Sequence, residues 1–251
     1  MNSFDLTGKV AIVTGSNTGL GAGMAVALAA AGCDIVGVSR SDPGDTAARV
    51  AAAGRRFADV RADLASIAPV DDIVRAALEA FGRVDVLVNN AGIIRREDAL
   101  DFSEDDWDAV IDVNLKSVFF LSQAVARQFV LQQGGGKIIN VASMLSFQGG
   151  IRVASYTASK SGVLGLTRIL ANEWAARGIN VNAIAPGYMA TANTAALRAD
   201  EQRNEEIVGR IPAARWGAPE DLAGPVVFLA SNASDYVHGH TLAVDGGWLA
   251  R

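Results

Sequence analysis

Tyr156 and Lys160 stand four residues apart in Ser155-Tyr-Thr-Ala-Ser-Lys160, and Ser143 precedes the tyrosine by thirteen positions. On a helix, side chains at i and i+4 share a face, so one substrate-sized group can touch both. The residue types suit acid–base work. A free phenol titrates near pH 10, too high for efficient proton exchange at neutrality, and an ammonium held close favours the phenolate. Bringing the phenol to neutrality takes roughly 4 kcal/mol of differential stabilisation, within reach of one partly desolvated cation plus a second positive charge. Ser143 adds a hydroxyl that orients a carbonyl or alcohol oxygen. The same Tyr–Lys spacing also occurs on ordinary exposed helix faces, so its meaning depends on what the chain places around it.

A helix bearing that pair needs a sheet to position it. The chain alternates strand and helix patterns as an α/β domain with a parallel sheet does. Val10-Ala-Ile-Val13 is a short apolar run suited to a buried strand, and it leads into Thr14-Gly-Ser-Asn-Thr-Gly-Leu-Gly21 and a helical stretch to Ala31. Gly15, Gly19 and Gly21 allow a tight turn and close backbone approach. The helix start, with Asn17, Thr18 and Leu20 in the same turn, offers free N–H groups and a positive dipole to a pyrophosphate. The spacing is not G-x-G-x-x-G: three residues separate the first two glycines and one separates the last two. Its place between a strand and a helix is what makes it a dinucleotide-binding candidate rather than a flexible turn.

Asp34 to Val38 reads as a second strand, and Ser39-Arg40 falls where the chain leaves it, near the adenosine ribose of a doubly wound fold. An acidic residue there would bind ribose hydroxyls and repel a 2′-phosphate. Ser and Arg instead accept that phosphate or stack on adenine, unless the arginine is simply a solvated loop side chain. Arg56 to Arg61 suggests a third strand, with Asp63-Leu64 beyond it placed either to meet an adenine amino group or to cap a helix. Val70 to Phe81 has helical spacing. Asp85-Val-Leu-Val88 is the next strand, running into Asn89-Asn-Ala-Gly92, small and amide-bearing residues suited to a cofactor or a strand-end turn.

Ser103 opens a helix with an acidic first turn, and Asn114 lies inside or at a kink of a long helical region. Gly136 to Val141 is a fifth strand that delivers Ser143 at its carboxyl end, where open α/β sheets hold their ligands. The helix from Tyr156 follows, then a sixth strand from Asn180 to Ala185, ended by Pro186-Gly187. The segment 188–210 is polar and strand-free, either a substrate lid or a surface helical insertion. Pro219 starts a helix through Leu229, and Thr241-Leu-Ala-Val244 supplies a seventh strand. The expectation is a single-domain, Rossmann-type doubly wound parallel sheet of about seven strands over 1–251, with helices on both faces.

Composition bounds the function. Half the residues are hydrophobic, which argues against disorder, and the net charge of −5 without any Lys or Arg block points to neither nucleic acid nor membrane surface as partner. Cys33 is the only cysteine, so no intrachain disulfide exists and a small buried role suits it. The apolar stretch from Ala22 to Cys33 is interior, lacks a positive leader and is too short to span a membrane, so the cytoplasm is the expected location. His238 and His240 are the only histidines, and without carboxylate or thiol neighbours they give no reason to expect a metal.

Thr14-Gly-x-x-x-Gly-x-Gly21, Asn89-Asn-Ala-Gly92, Asn114, Ser143, Tyr156-x-x-x-Lys160 and Pro186-Gly187 occur together and in order. Together they resemble the short-chain dehydrogenase/reductase family over essentially the whole chain. The resemblance implies that Tyr156 is the general acid/base, that Lys160 lowers its pKa and binds the nicotinamide ribose, that Ser143 holds the reacting oxygen, and that Asn114 supports a proton-relay water. It further implies that Asn90, Ala91, Gly92, Pro186, Gly187 and Thr191 line the cofactor, NAD(H) or NADP(H), and that the chain forms a homotetramer.

Within the family, Ile94-Arg-Arg-Glu-Asp98, the stretch from Ser143 to Arg152, Asn182 to Thr191 and the ending Asp245-Gly-Gly-Trp-Leu-Ala-Arg251 resemble members that act on keto-deoxy sugar acids from uronate breakdown. Such relatives are usually NAD-preferring, whereas Ser39-Arg40 leans toward NADP. A buried carboxylate substrate needs a cationic or multi-donor partner; Arg95, Arg96 and Arg152 are candidates, with Gln148 and Tyr188 for hydroxyls. Two alternatives within the fold are a gluconate dehydrogenase and a 3-ketoacyl carrier-protein reductase. From another class comes a dinucleotide-sensing regulator without turnover, against which the four presumptive catalytic residues weigh.

Overall fold

The computed structural model describes residues 3–251, so the first two positions of the expected domain lie outside it. The elements run β1 (Val10–Thr14), α1 (Gly19–Ala30), β2 (Asp34–Ser39), α2 (Thr46–Ala52), β3 (Phe57–Arg61), α3 (Val70–Phe81), β4 (Val86–Asn89), α4 (Glu104–Ile111), α5 (Ser117–Gln132), β5 (Gly136–Val141), α6 (Ala154–Trp174), β6 (Ile179–Pro186), α7 (Ala195–Ala199), α8 (Glu201–Arg210), α9 (Ala223–Ala230) and β7 (Thr241–Val244). All strand pairs are parallel, in the order β3-β2-β1-β4-β5-β6-β7. The chain reverses its direction of growth at β1, between β2 and β4, and a doubly wound sheet opens its ligand crevice at such a point.

Continuous apolar strands are what a sheet covered on both faces requires. One face packs Met24, Ala25 and Leu28 of α1 with Val50, Val226 and Leu229, and Cys33 is buried there as a free thiol. The other packs Ile73 and Ala77 of α3, Leu121, Val125 and Phe129 of α5, and Leu170 of α6. The run Glu104–Gln132 is long and apolar enough to cross a membrane by composition. Its core residues, however, are buried against the sheet, as the central helix of a two-faced α/β protein demands.

Most of the expected elements are present, with boundaries shifted by a residue or two. The first helix ends at Ala30 rather than Ala31, the third strand starts at Phe57 rather than Arg56, and the fourth at Val86 rather than Asp85. The helix bearing Tyr156 starts earlier, at Ala154. The segment from Pro219 begins as a 3-10 turn, Pro219–Leu222, before becoming α9. The expected kink near Asn114 is a π-helical turn, Asp112–Lys116, which joins α4 to α5. The segment 188–210 holds α7 and α8, with an isolated parallel bridge between Met189 and Gly217.

Candidate active site

At the carboxyl ends of β1 and β4, Thr14 ties the two strands together. Its Oγ1 accepts hydrogen bonds from Asn90 N and Ala91 N, each at 2.9 Å, while Asn90 Nδ2 donates to Thr14 O at 2.9 Å. The glycine turn sits on this clasp. Gly15 and Gly19 have φ of +65° and +56°, a region costly for other residues. A Cβ on Gly21 would lie 2.0 Å from Gly15 O, and one on Gly15 would lie 2.9 Å from Asn90 Nδ2. The N-cap of α1, Thr18, makes no side-chain cap, and the first turn carries no acidic residue. Its N–H groups are therefore left for an anion. Backbone that only glycine permits, beside an uncapped helix start, fits a dinucleotide pyrophosphate.

The catalytic candidates are set by a buried polar ladder that docks two helices on the sheet. Asn89 Nδ2 donates to Ser122 Oγ and Asn140 Oδ1, and Asn140 Nδ2 donates to Thr167 Oγ1 at 3.0 Å. Fully satisfied networks of this kind hold one register. Asn89 therefore serves the core, and only its neighbours 90–92 face the cavity. The first turns of α6 are tied to the end of β5: Lys160 Nζ donates to Val141 O at 2.7 Å, and Ser146 Oγ donates to Lys160 O at 2.7 Å. Ser143 caps the short turn after β5, with Oγ accepting from Leu145 N at 3.2 Å.

Tyr156, half-buried beside Ser143, has its phenol pKa raised by burial; a hydrogen bond with the Ser143 hydroxyl and the positive charge of Arg96 pull the other way. This differs from the sequence expectation, which placed the lowering on Lys160. The reason is local. The ammonium is held on Val141 O, 5.8 Å from the centre of the Tyr156 ring, and burial lowers its own pKa to about 8.

One cavity of about 1320 Å³ gathers most of the expected site. Gly15, Asn17, Thr18, Gly19, Leu20, Ser39, Arg40, Asp63, Leu64, Asn90, Ala91, Gly92, Ser143, Tyr156, Lys160, Pro186, Gly187 and Thr191 line it, as do Arg96, Gln148, Arg152 and Tyr188. Three expected residues do not. Gly21 stands behind the turn, packed on Gly15. Asn114 is fully buried: its amide donates to Ile93 O at 2.9 Å and accepts from Ile93 N at 2.8 Å, a clamp made possible by the π-helical turn. Arg95 lies outside the cavity lining and pairs with Asp106 at 3.0 Å. Arg152 lines the cavity but is paired with Glu97 at 3.3 Å. Asp63 Oδ1 accepts from Ala65 N at 3.0 Å and closes a local turn; it caps no helix, since α3 begins at Val70 with Pro69 as its N-cap.

The histidine pair gathers no ligands. Among the described residues no group of three His, Cys, Asp or Glu side chains is placed to hold a metal, and His238 Nε2 lies 3.2 Å from Asn180 Nδ2. Sequence reasoning marked 188–210 as a candidate lid but named none of the α8 residues that line the cavity. Arg203, Glu206, Ile207 and Arg210 line the cavity from one face of α8, and Trp248 and Met144 complete it. The i, i+3, i+4, i+7 spacing of those four α8 positions was the available signal.

A glycine cradle at a sheet's switch point, beside a serine, a tyrosine and a buried lysine, defines a nicotinamide-dependent oxidoreductase. A family model described as enoyl-(acyl carrier protein) reductase matches residues 15–249. The chain belongs to the short-chain dehydrogenase/reductase family. It is 66% identical to the 2-dehydro-3-deoxy-D-gluconate 5-dehydrogenases of Dickeya dadantii and Escherichia coli, covering 100% of this chain and 99% of each relative. An Agrobacterium tumefaciens structure with bound NADP, provisionally assigned as a 2-deoxy-D-gluconate 3-dehydrogenase, superposes with a TM-score of 0.95 at 57% identity over 100% of both chains.

Proposed function

We propose that this chain interconverts 3-deoxy-D-glycero-2,5-hexodiulosonate and 2-dehydro-3-deoxy-D-gluconate, moving a hydride between a nicotinamide cofactor and the C5 oxygen-bearing carbon of the sugar acid. The full-length 66% identity to enzymes of that name carries the reading. A cavity with Ser143, Tyr156 and Lys160 beside a glycine cradle supports it.

In this reading Tyr156 gives its phenolic proton to the C5 oxygen during reduction and recovers it on oxidation. Ser143 orients that oxygen by a hydrogen bond. Lys160, set by Val141 O, would donate to the nicotinamide ribose when the cofactor is bound. Asn114 acts at one remove, fixing Ile93 and with it the wall formed by 91–94. When bound in the cavity, a nicotinamide would supply or accept the hydride. Gly15, Gly19, Leu20 and the start of α1 would hold its pyrophosphate, Asp63 and Leu64 would border the adenine, and Gly187 and Thr191 the carboxamide side.

NADP is the proposed preferred cofactor. Arg40 is exposed at the cavity edge without an ion-pair partner among the described residues, and the 57% identical Agrobacterium structure contains NADP. The segment 188–210 is proposed to act as the substrate lid of the single domain. A cytoplasmic homotetramer is proposed as well; Val130 and Leu131 of α5 and Ile169 of α6 expose apolar side chains suited to a partner surface.

Initial rates of nicotinamide absorbance change test the reading, with the 2,5-diketo acid, 5-keto-D-gluconate and a 3-ketoacyl thioester supplied in parallel with NADPH and NADH. The 2,5-diketo acid is expected to give the highest kcat/KM. A higher value with either other substrate would replace the proposed one.

A further inference from the structure

α8 presents Arg203, Glu206, Ile207 and Arg210 to the cavity, and their charges are not equivalent. Glu206 is satisfied along its own helix, accepting from Arg203 Nη1 at 2.8 Å and from Gln202 Nε2 at 3.2 Å. Arg210 makes neither an ion pair nor a side-chain hydrogen bond among the described residues. Its guanidinium lies over the Trp248 ring, 4.1 Å from the ring centre. Stacking engages the face of a guanidinium and leaves its edge, where the N–H donors are, directed outward.

Trp248 is itself fixed. It is 5% exposed, packed with Met144, Ile207 and Ile211, with the Tyr188 ring edge-on at 4.9 Å. Its Nε1 donates to Gln148 Oε1 at 3.3 Å, which leaves the Gln148 amide N–H groups for another acceptor. The last turn of α8 is held a second time, because Arg251 Nη2 donates to Gly209 O at 2.9 Å and Arg210 O at 2.7 Å. An unpaired guanidinium and the free N–H groups of an amide therefore meet around one immobilised indole. A preorganised, multi-donor site of this kind suits a planar carboxylate.

Of the other cavity arginines, two are committed to ion pairs, and Arg40 stands at the cavity edge after β2, away from the α8 wall. Arg152 pairs with Glu97 and Arg203 with Glu206, whereas Arg96 has no ion-pair partner among the described residues and its positive charge bears on the Tyr156 phenol. In the diketo acid the carboxylate and the reacting carbonyl lie toward opposite ends of the carbon chain, so a cation beside Tyr156 sits at the wrong end for it. We infer that Arg210, stacked on Trp248 and assisted by Gln148, is the receptor for the substrate carboxylate and sets specificity for acids over neutral ketoses. The inference rests on the sugar-acid reading given under Proposed function.

The test compares wild type, Arg210→Met, Arg210→Lys and Trp248→Phe, each with the 2,5-diketo acid and with its C1 methyl ester, and with NADPH affinity measured separately. Loss of a charge-assisted carboxylate contact should raise KM for the acid about 10- to 100-fold in Arg210→Met. The ester should show a far smaller rise, and NADPH affinity should not change. Arg210→Lys should recover only part of the loss, since lysine keeps charge but not the stacked fork; Trp248→Phe should fall between it and wild type. Equal losses on acid and ester, or an unchanged KM for the acid, would overturn the assignment while leaving the sugar-acid reading intact. A wild-type enzyme inactive on the acid would overturn that reading and the assignment with it.

Discussion

The proposed nucleotide end and the proposed substrate end of the cavity are made of different materials. At the nucleotide end the walls are backbone: glycines at positive φ, a helix start without a side-chain cap, and a Gly21 site where an added Cβ would meet Gly15 O at 2.0 Å. At the substrate end the walls are long side chains. Arg210, Trp248, Tyr188, Gln148 and Ile207 stand over a small cluster with Met144, separate from the two main cores. A backbone cradle recognises what every dinucleotide shares, its pyrophosphate. A side-chain wall can be recut for each substrate without disturbing the sheet.

That contrast makes Gly21→Ala the harshest test of the first end. Overpacking against backbone costs about 1–3 kcal/mol, which lowers the melting temperature by several degrees. Displacement of the turn should also abolish measurable NADPH binding by fluorescence titration. Retained binding with an unchanged melting temperature would show the cradle to be softer than its geometry implies. Arg40→Ala is expected to raise KM for NADPH about 10- to 100-fold and to leave NADH nearly untouched, the loss of one charge-assisted phosphate contact. Equal effects on both cofactors would remove Arg40 from the 2′-phosphate.

Lys160 offers a milder probe. Burial lowers its folded pKa to about 8 from 10.5, so the folded protein binds fewer protons than the unfolded chain between those values. The cost of the buried ammonium is full below pH 8 and is relieved as pH rises toward 10.5. Wild-type stability should thus gain on Lys160→Met across that window, with a slope on the order of 1 kcal/mol per pH unit, measured by urea denaturation. Parallel curves would contradict the lowered pKa. The smallest expected effect is that of Arg95→Ala. The side chain is exposed, paired with Asp106 and outside the cavity lining, so KM for the diketo acid should stay at the wild-type value. A large increase would return Arg95 to the substrate site.

The same division explains what the sequence made legible. Strands buried on both faces read as apolar runs, and a tight turn against a phosphate tolerates only glycine, so the sheet and the nucleotide end follow from residue type. Tyr156, Lys160 and Ser143 were legible because helical spacing and a strand end place them. The substrate end depended on pairing that no spacing reveals: Arg95 and Arg96 are adjacent in sequence, yet one is paired outside the cavity lining and the other lines the cavity unpaired among the described residues. Arg210 and Trp248, thirty-eight positions apart, meet only through the fold. Asn114 was found by resemblance, and its clamp on Ile93 needed the π-helical turn to be seen.

The most direct test of the central claim is the rate of 2,5-diketo acid reduction by Tyr156→Phe beside wild type, with NADPH binding measured on the same samples. Removing the proton donor should cost about 10²- to 10⁴-fold in turnover while binding persists, because the ring and the glycine cradle remain. Turnover at the wild-type rate in the variant would contradict the assignment of Tyr156 as the acid/base.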